Sequence, residues 1–363
     1  IDFCDPKITI TGEPLLNQRI FLAVFASMFM APAVAQEPGT SSPLFSEHDI
    51  LSITITAPMK QLLRQRPDDE YLPGTLAFTD ADGSEAVLEM GLRTRGNYRR
   101  QRDVCPFPPL RVNLKKGQAK ETLFDGQNKL KLVSHCKDKS KQFDQNVIKE
   151  YLAYRILNLL SDVSYRVRLM RVTYRDSEGK QKDREQYAFF IEHKKEFASR
   201  TGLPEFVVED LTTEELEPAY SDLTSLFQYM IGNTDFSPIA GAEGENCCHN
   251  STVFGAEDGL VYSVPYDFDM SGLVDAPYAT PNPRFSIRSV KQRLYRGRCM
   301  HIENLPNSVK AFQDNRAEIY RLIDELPQLE KSTRKQLHRF VDPFFEIIDD
   351  PQRLEREIQK KCI

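Results

Sequence analysis

The sequence has 363 residues, a net charge of −5 and no tryptophan, with 40% hydrophobic and 28% charged residues. These are the proportions of an ordinary soluble protein, enough for one large domain or two lobes with a core each. The acidic balance argues against a general nucleic-acid binder, the lack of Trp removes a common carbohydrate-stacking residue, and no fixed-period repeat or low-complexity tract is present.

The first residues read as a targeting segment. Arg19 precedes an apolar run, Ile20 to Ala31, and Pro32-Ala33-Val34-Ala35 ends in a small-x-small cleavage pattern. The run is shorter than the ~20 residues a membrane span needs. The expectation is a signal peptide over residues 1–35, with an over-extended start or a truncated beginning before about Leu15, and a mature protein that is secreted or periplasmic with no stable membrane span. Of the seven cysteines, Cys4 lies in this leader; Cys105, Cys136, Cys247, Cys248, Cys299 and Cys362 remain. In an oxidising compartment these are expected to form disulfides, in any of about 15 pairings. Cys247 and Cys248 are expected to staple their loop to other segments. The rival reading is zinc held by Cys247, Cys248, His249 and His135 or Cys136, at spacings unlike the usual ones.

Residues 36–48 are rich in Pro, Ser and Glu and read as a linker. Residues 51–56 alternate and predict a strand. Met59 to Arg66 reads as a short helix or an irregular crossing. Strands over 74–79 and 86–94 flank Asp80-Ala-Asp-Gly83, a hairpin signal. Two more strands follow at 110–114 and 129–133. A long helix is predicted from about Asp144 to Leu160, with Asp144 as cap and Ile148, Leu152, Ile156 and Leu159 in one stripe. Glu150 shares a second stripe with Ala153, Tyr154 and Leu157 and needs a basic partner inside the fold. Strands are expected at 166–174 and 186–192, and an apolar helix at 223–232. The loop Gly232-Asn233-Thr234-Asp235 leads through a Gly-rich stretch to Asn250, and a hairpin over 251–264 ends in Pro265-Tyr266-Asp267-Phe268-Asp269. Helices are predicted at 307–326, 330–341 and 351–361, with Pro343 stopping the middle one.

Residues two apart in an extended segment point to the same side, so Asp267 and Asp269 are placed to share a hard cation such as Mg²⁺ or Mn²⁺. Taken alone, a turn with two solvated acids explains them as simply. Their company sharpens the reading. A strand Lys (Lys131, with Lys129 as the alternative), a helix Glu (Glu150), a loop Asp (Asp235), an Asn (Asn250, with Asn246 and Asn233 as fallbacks) and a strand-end Asp (Asp267) follow the order of parts in a protein kinase. Each also has a plain explanation: Lys131 on a solvated strand face, Glu150 paired with Arg155 or a strand Arg, Asp235 as a helix-end turn residue, His249 as a structural residue, and Arg93, Arg95, Arg99 and Arg100 as a solvated basic turn or an anion site of unknown purpose.

Three stretches carry a family resemblance. Leu92-Arg-Thr-Arg-Gly-Asn97 resembles the Arg-Gly-Asn segment of the CotH-type secreted kinases, relatives of the HipA-type kinases. Ile231-Gly-Asn-Thr-Asp235 resembles their catalytic-loop entry. Pro265-Tyr-Asp-Phe-Asp269 with Ser271-Gly272 resembles their metal-binding stretch. The resemblance spans about Arg93 to Gly272. It implies an α+β, two-lobed protein-kinase-like fold: an antiparallel-sheet N-lobe with one long helix over 49–192 and a mainly helical C-lobe over 193–363. It also implies ATP, Mg²⁺ or Mn²⁺, and phosphoryl transfer to a protein Ser/Thr or other hydroxyl acceptor outside the cytoplasm. Asp235 would be the catalytic base. Lys131, Glu150, Arg93 and Arg95 would serve the nucleotide, and Asp267, Asn250 and Asp269 the metal. One departure stands out: the Asn of such kinases follows the catalytic Asp within a few residues, whereas here an insertion bearing the vicinal cysteines separates Asp235 from Asn250. The alternatives are a metal-dependent glycosyltransferase using Asp267 and Asp269, for which the early βαβ units are missing, and a non-catalytic pseudokinase or envelope binding protein.

Overall fold

The computed structural model describes residues 41–363, except 116, 243, 257 and 258. The expected signal peptide lies outside the described residues. No described helix is long and apolar enough to cross a membrane. After a single helical turn, α1 (Pro43–Ser46), come β1 (Leu51–Ala57), α2 (Met59–Gln65), β2 (Leu72–Thr79), β3 (Glu85–Thr94), β4 (Leu110–Leu114) and β5 (Lys129–Val133). Then follow α3 (Lys141–Leu160), β6 (Val167–Asp176), β7 (Arg184–Ile191), α4 (Lys194–Thr201), β8 (Glu205–Phe206) and α5 (Pro218–Ile231). The hairpin β9 (Ser251–Gly255) and β10 (Val261–Pro265) precedes α6 (Leu305–Asp314), α7 (Arg316–Glu325), α8 (Lys331–Asp349) and α9 (Pro351–Glu357).

The expected two-lobed kinase-like fold, with its antiparallel-sheet N-lobe, is overturned. The strands close into a seven-membered barrel in the order β1-β2-β3-β4-β5-β7-β6, and a separate three-stranded sheet runs β10-β9-β8. The closing pair is parallel: Leu51 to Ala57 of β1 lie beside Met170 to Asp176 of β6. Alternation in the sequence sets which face of a strand is buried, but not its partner, and this pairing joins segments more than a hundred residues apart. Closure removes the free edges that an open sheet would leave.

One residue in two along the early strands fills the barrel. Ile53, Ile55, Leu76, Phe78, Leu88, Met90, Leu92, Val112 and Leu130 form this core with Met170, Val172 and Phe190. On β6 and β7 the opposite faces are buried too. Val167, Leu169, Phe189 and Ile191 join α3, α5 and the C-terminal helices in a second apolar core. α3 therefore packs against the outside of the barrel, and it is buried nearly all round rather than along one stripe. Its cap is not Asp144: the helix begins at Lys141 after Ser140, and Asp144 lies in the first turn.

Two helix boundaries also differ from expectation. Residues 307–326 form two helices parted at Asn315, and α8 runs through Pro343 to Asp349. Proline costs a helix about 3 kcal/mol. Phe344, Phe345, Ile347 and Ile348 beyond it are all buried, and each buried apolar side chain contributes about 1.5–3 kcal/mol, so continuing the helix wins. The cysteines pair as Cys105–Cys136, Cys247–Cys248 and Cys299–Cys362. Cys247 and Cys248 thus bond to each other instead of stapling their loop elsewhere, which also removes them as zinc ligands.

Candidate functional site

A cavity of about 740 Å³ lies between the outer wall of the barrel and the loops around the β9–β10 hairpin. Seven of the eight residues singled out from the sequence line it: Arg93, Arg95, Lys131, Asp235, Asn250, Asp267 and Asp269. Glu150 sits beneath it, in the buried layer that also holds Arg99 and Tyr278.

The basic wall follows from strand register. Leu92 and Thr94, Leu110 and Val112, and Leu130 and Leu132 are buried inside the barrel, so the residues between them face outward. Arg93 pairs with Arg111, and Arg111 pairs with Lys131, giving three cations side by side on adjacent strands. Arg95 follows at the end of β3. Like charges directly opposite one another destabilise a sheet. None of these four side chains has an ion-pair partner among the described residues. Lys131 rests over the Tyr266 ring at 4.0 Å. Burial, and then the Arg95 charge, push its pKa down to about 7. Lys129, the alternative, is exposed and pairs with Asn113 instead.

The opposite wall is acidic. α5 ends at Gly232, whose φ of 64° forms the left-handed cap that glycine adopts freely. Just beyond it the buried Asn233 accepts the Asp235 N–H at 3.0 Å. The insertion after Asp235 loops out and returns: Ser237 N–H donates to the His249 carbonyl, and His249 N–H to the Ala240 carbonyl, both at 3.0 Å. His249 Nε2 then lies 2.9 Å from Asp235 Oδ1. Asn250 Nδ2 donates to the Asp235 carbonyl at 2.7 Å and to Oδ2 at 3.1 Å. Asp235 is therefore held on both carboxylate oxygens across the insertion. The hydrogen bond to Asp235 raises the pKa of His249.

Asn250 and Asp267 meet because they flank one hairpin. Pro265 pairs with Ser251, and Tyr266 N–H donates to the Asn250 carbonyl at 2.9 Å. Both residues adopt left-handed backbone, with φ of 53° at Asn250 and 64° at Asp267. At Asp267 this conformation is held by the Tyr154 hydroxyl of α3, which accepts the Asp267 N–H at 2.8 Å. Strained backbone at a cleft is where functional geometry is commonly built. The Asp267 carboxylate has no hydrogen-bond or ion-pair partner among the described residues, nor does the Asn250 side-chain oxygen.

Asp269 turns the other way. It is 5% exposed, accepts from the Tyr278 hydroxyl at 3.0 Å and faces Arg99 Nη1 at 3.5 Å. Burial, and then the Asp267 charge, push its pKa up to about 6. The same Arg99 Nη1 is 3.5 Å from Glu150 Oε2. Glu150 thus has the internal basic partner its position demands, and that partner is Arg99, not Lys131; Arg155 instead donates to the Tyr151 hydroxyl. Burial raises the pKa of Glu150. Arg99 is 8% exposed and donates to the Ser134 carbonyl, so it is no solvated turn residue. Sequence reasoning misses Arg111, Tyr154 and Tyr278 as site residues, and treats Arg99 only as part of a solvated basic turn or an anion site of unknown purpose. The alternation in 110–114 does place Arg111 outward, but nothing local assigns it a neighbour.

For a hard cation the donors are suitable but few. Asp267 and the Asn250 oxygen are free, while Asp269 is balanced by Arg99 and Tyr278. No three His, Cys, Asp or Glu side chains among the described residues cluster to cage a metal alone. That suits an ion completed by water and ligand phosphates, as Mg²⁺ commonly is, and not an all-protein cage. No protein-family model matches the chain, and no curated protein is significantly similar to it.

Proposed function

We propose that this cleft performs metal-assisted phosphoryl transfer from ATP to a hydroxyl acceptor, a protein Ser/Thr or another alcohol, outside the cytoplasm. The observation that carries the reading is the pairing of walls. A row of cations without counter-ions, Arg93, Arg111 and Lys131 with Arg95, faces Asp235, Asn250 and Asp267 across one cavity. Of these residues Arg93, Arg95, Asp235 and Asp267 lie in the stretches that resemble CotH-type kinases. The closed barrel departs from a kinase-like architecture, so the proposal rests on the cleft and not on the fold.

The cation row would take the phosphate oxygens. An anion there offsets the mutual repulsion of the row and favours the charged form of Lys131. Asp267 and the Asn250 oxygen would hold Mg²⁺ or Mn²⁺. When bound, that ion screens phosphate charge and orients the transferred group. Asp235, fixed by His249 and Asn250, would orient the acceptor hydroxyl and take its proton. Arg99 holds Glu150 and Asp269 in place under the segment that carries Asp267. Disulfide-bonded cysteines support an oxidising compartment.

The test is nucleotide binding with and without Mg²⁺ or Mn²⁺, followed by phosphate transfer to the protein itself or to peptide acceptors. Wild type should bind ATP only with metal, and Asp267→Ala should weaken that binding at least tenfold, the equivalent of about 1.4 kcal/mol. Absence of nucleotide binding with either metal sinks the proposal. Binding without any turnover would replace it with a non-catalytic nucleotide-binding protein.

A further inference from the structure

A second cavity, of about 290 Å³, shares no lining residue with the cleft. It is a half-open pocket bordered by α3, by the segment 272–275 that follows Asp269, and by α8. Gly272 is required here because of close approach: a Cβ would lie 2.5 Å from the Val290 carbonyl oxygen and 3.0 Å from the Phe340 ring. Lys149 of α3 reaches into the cavity and is 7% exposed. Its ammonium donates to the Val274 carbonyl, an acceptor it shares with Asn146 Nδ2 at 2.7 Å. A buried charge is costly unless paired, yet Lys149 has no ion-pair partner among the described residues. The carboxylate in the cavity, Asp275, is already bound to Lys291 at 2.6 Å. Arg339 completes the lining and has no ion-pair partner among the described residues. Three cations against one carboxylate leave two positive charges. The remaining wall includes the apolar Leu337 and Phe340.

We propose that this cavity binds a small organic carboxylate with an apolar body, its carboxylate between Lys149 and Arg339 and its body against Leu337 and Phe340. The volume is near the lower end of small-molecule sites, roughly 300–1,000 Å³, and a few polar groups on an apolar wall are their usual make-up. Burial pushes the Lys149 pKa down to about 8, so the ammonium is still mostly charged at neutral pH. The site is independent of the nucleotide reading of the cleft. It lies against the segment after Asp269 and on the helix that carries Glu150, so a ligand there would tie α3 to that segment.

Isothermal titration of the mature protein with benzoate, hexanoate and inorganic phosphate tests this. At least one acid should bind saturably, with a Kd of about 1 mM or tighter, and more tightly than phosphate. Arg339→Ala should weaken binding about tenfold, the loss of one charge-assisted hydrogen bond, and Lys149→Met should abolish it. If Lys149→Met does not fold, the exposed Arg339→Ala decides. Absence of saturable binding by either acid, unchanged affinity in Arg339→Ala, or phosphate binding tighter than both acids would each overturn the proposal.

Discussion

Replacing Arg99 by Met should be among the most damaging single changes near the cleft. One guanidinium nitrogen faces both Glu150 and Asp269 at 3.5 Å, and all three side chains are buried. At that distance and an effective dielectric of about 20, each attraction is worth roughly 5 kcal/mol before desolvation is subtracted. Met fills much of the volume but supplies no charge, leaving two carboxylates buried together. Removing one partner of a buried ion pair costs about 3–5 kcal/mol, and two stranded acids place Arg99→Met at the upper end. Urea unfolding monitored by circular dichroism measures this. The double variant Arg99→Met/Glu150→Gln isolates the mechanism: Gln keeps the shape and removes one stranded charge, so it should recover about 1–2 kcal/mol of the loss. A loss under about 1 kcal/mol for Arg99→Met, or no recovery in the double variant, would refute the claim that Arg99 neutralises this layer.

Two further outcomes follow from single positions. Burial pushes the Glu196 carboxyl from 4.5 up to about 7, although Gln127 Nε2 donates to it at 2.6 Å. The folded value lies above the unfolded one, so Glu196 takes up a proton on folding, and its contribution to stability is full below pH 4.5 and lost as pH rises through 7. Glu196→Gln should match wild type in urea unfolding near pH 4.5 and exceed it by about 1–3 kcal/mol at pH 8; a less stable variant at pH 8 contradicts this. At Asp267 the φ of 64° favours glycine. Asp267→Gly should therefore be more stable than Asp267→Ala by about 1 kcal/mol, while both should lose the proposed metal-dependent nucleotide binding; equal melting of the two would show that this backbone conformation carries no strain.

Most strands and helices were legible because their signals are local. The alternation at 51–56 and 129–133, the turn at Asp80–Gly83 and the apolar helix before Gly232 each predict an element within a few residues of its observed bounds. The hairpin that joins Asn250 to Asp267 was legible too, since its strands are neighbours in sequence. Pro343 misled because the helix-breaking penalty is local while the burial of Phe344 to Ile348 that outweighs it is tertiary. Arg99 misled in the opposite sense: four arginines in a Gly-Asn turn look solvated, and only the packing of α3 and Tyr278 encloses one of them.

Residue types and spacing by themselves determined which side chains are candidates for chemistry. Carboxylates two apart after an apolar strand, an Asp after a glycine cap and an Arg-x-Arg at a strand end can be recognised before any fold is known. Tertiary structure decided who meets whom. It closed the sheet into a barrel through the parallel β1–β6 pair, lined Arg111 up between Arg93 and Lys131, and gave Glu150 to Arg99 instead of Lys131. It also folded the insertion back so that His249 and Asn250 grip Asp235. The physical reason is the range of the forces involved. Backbone propensity and side-chain alternation act over a few residues, whereas strand partnership and the pairing of buried charges are settled only when distant segments compete for the same space.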